Sequence, residues 1–156
     1  MSTAMTSVEP RSRSLRTGRV LKPLALFLGL ALILSGCLYS PNQTKAANLV
    51  NSSRAAHGKA KLSVNLKMSN KAQAWANHLA NIGQLQHSNL ASGVPGGWKA
   101  LGENVGFAGT VNKTHNAFMN SAGHRANILN SKWTHLGTGT RLKGGKVYVV
   151  QVFGKY

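Results

Sequence analysis

Beyond its N-terminal segment, this chain contains a single acidic residue. The 156 residues contain two acids, Glu9 and Glu103, and residues 37–156 combine Glu103 with 14 of the 19 lysines and arginines. A lone carboxylate in so basic a domain is not used as surface charge. We therefore expect the fold to bring other side chains to Glu103, and the six histidines are the candidates.

The N-terminal segment has the pattern of an export signal. A basic stretch ends at Lys22, the uncharged apolar run Pro23–Leu34 follows, and small residues precede Cys37. This order is typical of secretory signal peptides. The run of about 12 apolar residues is short for a helix that must cross ~30 Å of hydrocarbon. Residues 1–36 are therefore predicted to be a cleaved lipoprotein signal peptide.

Leu34-Ser35-Gly36-Cys37 resembles the lipobox of bacterial lipoproteins. The resemblance implies that Cys37 is acylated, for example with palmitate, and becomes the new N-terminus. Cys37 is the only cysteine, so no intrachain disulfide can form. We expect an exported protein, lipid-anchored in the cell membrane or outer membrane and facing the periplasm or exterior. A tether over residues 37–43 would precede a domain over residues 44–156.

The charge of the expected mature chain predicts anionic surroundings. Residues 37–156 carry a formal charge of +13, and self-repulsion at that charge destabilises a compact state. Anionic lipid headgroups or a cell-wall polymer are the expected partners. Nucleic acid is a poor candidate for an exported protein whose basic residues are spread along the chain.

Hydrophobic periodicity predicts helices first and strands last, an α+β arrangement. Gly83 is typical of a helix end and Ser69 of an N-cap. The glycine-rich stretch 88–102 is predicted to be a loop that continues through Gly109. Gly144 and Gly145 can supply the positive φ angles of a hairpin turn. The predicted helices cover 43–57, 69–83, 112–119 and a turn or two at 126–129, and the predicted strands cover 136–142 and 146–153.

Three residues in distinctive local sequence could form a site: His87, Glu103 and His124. Imidazole and carboxylate groups converging in a cleft can bind a divalent metal such as Zn²⁺. They could equally form a hydrogen-bonded cluster in which Glu103 accepts from an imidazole. Ser121 lies three residues before His124, which suggests a serine–histidine nucleophile, although a cap or turn is the simpler interpretation. The spacing alone leaves these alternatives open.

Several motifs in order resemble the bacterial branch of the CAP superfamily, also called the SCP-like extracellular domain. The resemblance covers almost the whole expected mature chain and implies a three-layer α-β-α sandwich with a broad cleft. The matching pieces are Asn51–Arg54, His57-Gly58, Ala72–Ala76, His87-Ser88, Gly102-Glu103-Asn104-Val105, Phe118–Leu129 and Val149–Gly154.

In animal members of that family two histidines and two glutamates line the cleft, and some bind zinc. By position, His87 and His124 resemble the histidines and Glu103 the first glutamate. The second glutamate has no counterpart, because residues 37–156 contain no other acid. Asn104 and Arg125 lie in the same motifs. Asn104 is interpreted as a loop-bonding residue, and Arg125 as a structural donor or a bidentate grip on an anion.

Two functions remain for such a domain. In the first, an envelope-anchored module binds lipid, cell-wall polymer or protein through a cleft that contains His87, Glu103, Asn104, His124 and Arg125. In the second, His87, His124 and Glu103 hold Zn²⁺ and activate water for hydrolysis. The shortage of acids favours the binding module, because Glu103 cannot be both ligand and base. A membrane-active cationic protein is a third, weaker interpretation.

Overall fold

The computed structural model describes residues 40–156. The predicted signal peptide, Cys37 and the start of the predicted tether lie outside the described residues. Within residues 40–156, no helix has the length and apolar character needed to cross a bilayer. The helices are α1 (Pro41–Ala56), α2 (Leu66–Ile82), α3 (Val111–Asn120) and α4 (Ala122–Leu129); the strands are β1 (Ser63–Val64), β2 (Ala100–Ala108), β3 (His135–Lys143) and β4 (Lys146–Lys155).

One four-stranded sheet forms the middle layer, in the order β1-β3-β4-β2. Strand β1 pairs parallel to β3, and the other neighbours are antiparallel. Helix α2 packs on one face of the sheet, and α1, α3 and α4 pack on the other. The arrangement is therefore α+β with the three layers that the family resemblance implied.

Strand β4 contributes to both hydrophobic cores. Val147, Val149 and Phe153 pack with α1, α3 and α4, whereas Val150 and Val152 pack with α2. Successive side chains of a strand point to opposite faces. A strand that is covered on both faces therefore has an almost continuous apolar sequence. This burial explains the apolar sequence of the last predicted strand.

Two glycines let α2 lie directly on β3. A Cβ atom at Gly137 would overlap the backbone of Met68, and one at Gly139 would overlap that of Ala72. Packing this close fixes the position of α2, and with it the loop that leaves its C-terminal end.

Helix α1 begins earlier than predicted. Ser40 and Gln43 form a capping box, in which the Ser40 hydroxyl accepts from the Gln43 N–H at 3.2 Å and the Gln43 side chain accepts from the Ser40 N–H at 2.9 Å. Pro41, at the first helical position, needs no backbone partner. Pro41 and Asn42 therefore belong to the helix, which corrects the predicted start at Gln43. The helix ends where predicted, just before Gly58.

Helix α2 also begins earlier, and its predicted cap was wrong. The Asn65 side chain accepts from the Met68 N–H at 3.1 Å, so Asn65 is the N-cap. Ser69 lies fully buried inside the helix, where its hydroxyl accepts from the Thr138 N–H at 3.3 Å. Gly83 ends the helix with a φ of 72°, as predicted.

The predicted loop over residues 102–109 is wrong, because Ala100–Ala108 forms the edge strand β2. Its glycines are needed for packing rather than for a turn. A Cβ at Gly102 would lie 2.8 Å from the Trp133 ring, and one at Gly106 would lie 2.6 Å from the Phe118 ring. Pairing with β4 along its whole length overrides the loop preference of these residues.

The remaining predicted elements are present with small shifts. Helix α4 starts at Ala122, four residues before the predicted turn at 126–129, and includes Gly123. The hairpin between β3 and β4 turns at Gly144 and Gly145, with φ angles of 55° and 70°, as predicted. The short strand β1 (Ser63–Val64), for which no strand was predicted, pairs with the start of β3.

Candidate functional site

The lone acid is a buried acceptor beneath the loop that follows α2. Glu103 has a side chain only 2% exposed. Its Oε1 accepts from His87 Nδ1 at 2.8 Å and from the Ser88 N–H at 2.9 Å, and its Oε2 accepts from the Ser88 hydroxyl at 2.7 Å. Glu103 therefore holds a histidine, as its isolation in the sequence predicted. Ser88, which supplies two of the three donors, was not among the predicted site residues.

The contact with Glu103 determines which edge of His87 is free. An ionised carboxylate only accepts hydrogen bonds, so His87 Nδ1 carries a proton; Nε2 carries one as well when the imidazole is cationic. The ring presents Nε2 outward, and the His87 side chain is 64% exposed. The buried acid thus orients an accessible imidazole.

An aromatic pair on α2 positions the chain just before His87. Trp75 Nε1 donates to the backbone oxygen of Gln86 at 3.0 Å. The Trp75 ring stacks on His78, with centroids 4.6 Å apart, and His78 Nε2 lies 3.2 Å from the Gln86 side-chain nitrogen. These contacts fix the backbone at Gln86, and the Glu103 contacts fix it at Ser88.

Lys71 is a further α2 residue that supports the site and that the sequence did not reveal. Its Nζ donates to the Asn89 carbonyl at 2.7 Å, which holds the far side of the loop. Burial lowers the pKa of Lys71, while the negative charge of Glu103 acts in the opposite direction. Only the packing of α2 on the sheet brings Lys71 near Glu103, so sequence spacing carried no signal for it.

The Asn104 side chain donates a hydrogen bond to the backbone of His124, the other predicted histidine. Its Nδ2 donates to the His124 carbonyl at 3.1 Å and to Gln151 Oε1 at 3.0 Å. Asn127 donates to Asn104 Oδ1 at 3.0 Å and to the Glu103 carbonyl at 3.2 Å. Asn104 is fully buried, so it is a structural residue that ties α4 to β2 and β4. The hydrogen-bonding role expected for Asn104 is present, although its location is a strand and not a loop.

His124 lies against Phe118 and Ser121 at the start of α4. Its ring centroid is 4.9 Å from that of Phe118, and its Nδ1 lies 2.9 Å from the Ser121 hydroxyl. Burial lowers the pKa of His124, and repulsion from the cationic form of His87 lowers it further. The two predicted histidines are therefore near enough to influence each other electrostatically.

The predicted serine–histidine nucleophile lacks an acid in the described residues. Ser121 stands at the N-cap position of α4, where its hydroxyl contacts His124 and makes no cap hydrogen bond. Glu103, the only carboxylate side chain of residues 40–156, is bonded to His87 instead. No carboxylate is available there to orient the imidazole of His124 as a base.

The three-ligand zinc site predicted for His87, His124 and Glu103 does not fit these side chains. Within residues 40–156, no three His, Cys, Asp or Glu side chains are grouped closely enough to hold a metal ion. Both oxygens of Glu103 already accept hydrogen bonds from His87 and Ser88. The hydrogen-bonded cluster, the alternative left open by the sequence, is the arrangement that forms.

Arg125 contacts a different surface from the Glu103 cluster. It lines a groove of about 570 Å³ between the end of α3 and α4, with Met119, Ala126 and Leu129 among its neighbours. Its Nη2 lies 3.4 Å from His57 Nε2 at the end of α1. Arg125 therefore lies in the helical layer with these contacts, and its predicted membership of the cleft stays a prediction.

Comparison with known proteins agrees with the fold and the motifs. Residues 47–153 match CAP, the cysteine-rich secretory protein family. The protein YkwD of Bacillus subtilis is 30% identical over 125 residues, which cover 74% of this chain and 48% of YkwD. The chain thus spans about half the length of that relative.

Two solved structures show the same fold. An outer surface protein from Borrelia burgdorferi has a TM-score of 0.64 and 16% identity, covering 73% of this chain and 92% of that one. An extracellular protein with an SCP domain from Bacillus anthracis has a TM-score of 0.60 and 23% identity, covering 74% of this chain and 40% of that one. With the match over residues 47–153, the three-layer sandwich and the motifs around Glu103 and His124, this chain belongs to the CAP family.

Proposed function

We propose that this protein is an envelope-anchored binding module that takes an anionic component of the cell envelope, a lipid headgroup or a wall polymer, at the cleft of His87 and His124. One observation carries the proposal. Glu103 is buried and accepts hydrogen bonds on both oxygens, and it orients the exposed imidazole of His87. The acid is used to position a recognition group and stays away from solvent.

Groups for hydrolysis are scarce around this cleft. A water-activating metal would need three protein ligands, and a carboxylate base would need an acid whose oxygens are not already hydrogen-bonded. Glu103 is bonded on both oxygens, and residues 40–156 contain no second acidic side chain. Binding requires only donors and positive charge, which the cationic form of His87 and the basic side chains of the domain supply.

The envelope location rests on the N-terminal sequence and on relatives. The sequence ending at Cys37 favours export and acylation, and two acyl chains give stable anchoring. The structural neighbours named above are an outer surface protein and an extracellular protein. An anionic partner follows from the excess of lysine and arginine in such surroundings.

The anchor is tested by Cys37→Ala in cells that process lipoproteins. We expect the wild-type chain in the membrane fraction, with acyl chains detected on Cys37 by mass spectrometry. The variant should lose the acyl mass and leave the membrane fraction. A variant that is processed and retained like the wild type would contradict the anchor.

The cleft is tested by binding to two probes, purified wall fragments and vesicles that contain phosphatidylglycerol. His87→Gln and His124→Gln should each weaken binding to one probe by roughly tenfold, the loss of about one charge-assisted hydrogen bond. His135→Gln is the matched control, because His135 lies on β3, away from the Glu103 strand. The probe that responds identifies the ligand source.

The outcome against the proposal is also defined. Binding that falls with added salt but is equal in all three histidine variants would show attraction by overall charge alone. That result would favour the cationic membrane-active interpretation over a binding cleft.

A further inference from the structure

One end of the domain combines exposed apolar side chains with cations. At the tip of the β3–β4 hairpin, Leu142 is 61% exposed. Lys143 Nζ lies 3.4 Å from Asn81 Oδ1, which places the neighbouring Ile82, 42% exposed, at the same end. We call this surface the hairpin end; its cations are Lys45, Lys113, Arg141, Lys143 and Lys146, all in exposed positions.

The cations surround the apolar tip on both sides of the sheet. Leu142 and Lys45 line one cavity of about 280 Å³ with Thr110, the N-cap of α3. On the other side, Lys146 lies over the Phe107 ring, with Nζ 4.5 Å from its centroid. Apolar tips among lysines and arginines suit the boundary between anionic headgroups and acyl chains.

The only acid of residues 40–156 is far from this end. Glu103 pairs with Val152, six residues along β4 from Lys146. At about 3.3 Å per residue that separation is roughly 20 Å. The hairpin end therefore carries positive charge alone, while the His87 cleft lies toward the other end of the sheet.

The chain enters the domain at the hairpin end. The Ser40 hydroxyl is 3.5 Å from that of Thr140, two residues before Leu142. Helix α1 starts at Pro41, so only the three links from Cys37 to Ser40 can act as a spacer. Three extended residues span at most about 10 Å.

From these observations we propose that the hairpin end is a membrane-docking surface, which faces the anionic headgroups of the bilayer holding Cys37. Leu142 and Ile82 enter the interface, and the surrounding cations contact lipid phosphates. In this orientation the hairpin end contacts the bilayer, and the His87 cleft lies about 20 Å along the sheet from the tip. This orientation depends on the proposed anchor at Cys37. The charge and exposure of the hairpin end are independent of that anchor.

Cysteine labelling of the full chain tests this orientation. Leu142→Cys is compared with Ser131→Cys, an exposed position just before β3 begins at the opposite end. Each variant is labelled with a thiol-reactive fluorophore and placed in vesicles of phosphatidylcholine and phosphatidylglycerol that contain nitroxide-labelled lipid. We expect severalfold stronger quenching for the label at position 142.

Charge reversal separates docking from a passive effect of the tether. Arg141→Glu with Lys143→Glu should abolish the excess quenching at position 142, and replacing phosphatidylglycerol by phosphatidylcholine should do the same. Lys61→Glu with Lys132→Glu is the matched control, with two exposed lysines away from the hairpin, and should leave the quenching intact.

The outcomes distinguish the docking surface from the anchor. Equal quenching at the two positions, or quenching insensitive to the charge reversal, would overturn the docking surface. Labelling of Cys37 itself would show a free thiol and refute only the anchor, because Cys37 is common to both variants and their difference still reports the orientation.

Discussion

Glu103 and Asn104 are adjacent in strand β2, and their side chains point to opposite faces of the sheet. Glu103 binds His87 on the α2 side, and Asn104 binds the His124 carbonyl on the side of α4. One dipeptide in an edge strand therefore positions both histidines. The alternation of a strand, which a loop would not impose, is the reason that both contacts are possible.

We expect Glu103→Gln to loosen the His87 loop. An amide cannot accept all three hydrogen bonds that the carboxylate accepts, and a buried unsatisfied donor costs about 1–3 kcal/mol. The free energy of unfolding from urea titration should fall by that amount. Amide exchange at Ser88, whose N–H donates to Glu103 Oε1, should become faster. Unchanged exchange at Ser88 would show that the carboxylate does not hold this loop.

Gly139→Ala should destabilise the contact between α2 and the sheet. The added Cβ would overlap the backbone of Ala72, which cannot move as a side chain can. Overpacking of this kind costs about 1–3 kcal/mol, measured as a lower free energy of unfolding. Gly109→Ala is the control, because no atom lies within 4 Å of a Cβ there. Equal stability of the two variants would contradict the packing.

The stability of the domain should fall in mild acid because of His115. This ring is 5% exposed, and burial lowers its pKa. Its Nε2 lies 2.8 Å from the Ser53 hydroxyl, while its Nδ1 has no hydrogen-bond partner within residues 40–156. Below pH about 6.5 the unfolded chain binds a proton at His115 more readily than the folded protein, so stability is lost as the pH falls.

His115→Gln should reduce the loss of stability between pH 7 and pH 5, because the amide does not titrate and can still bond to Ser53. Thermal unfolding at both pH values measures the difference. A steeper loss of stability in His115→Gln than in the wild type would contradict the assignment.

Arg54 is a buried cation whose replacement should be costly. Its Nε donates to the Ala60 carbonyl at 2.8 Å, and its Nη1 donates to the carbonyls of Ile128 and Asn130, each at 2.8 Å. Arg54→Ala removes these bonds and leaves a cavity, at a cost of about 2–5 kcal/mol. Arg54→Lys should also lower the free energy of unfolding, because an ammonium group lacks the planar set of donors of a guanidinium. Full stability of Arg54→Lys in urea titration would show that charge alone suffices.

The family, the α+β class and the hairpin could be predicted from the sequence, and so could a histidine partner for Glu103, although not which histidine. These features are local: Gly144-Gly145 specifies a turn, apolar spacing specifies α2 and α3, and a lone acid in a basic domain requires a partner. Cys37 and the residues before it remain a prediction. The glycines of β2 were misread as a loop, because their role is to admit the rings of Trp133 and Phe118.

Other features of the site depend on tertiary packing and could not be predicted from the spacing of residues in the sequence. Strand pairing turned Gly102–Ala108 into an edge strand, and that strand sends Glu103 and Asn104 to different layers. Packing of α2 placed Lys71 near the acid, and packing of α4 placed Arg125 in the groove beside α3. The physical reason is that side-chain direction in a sheet and distance between layers depend on partners remote in sequence, which a single chain does not display.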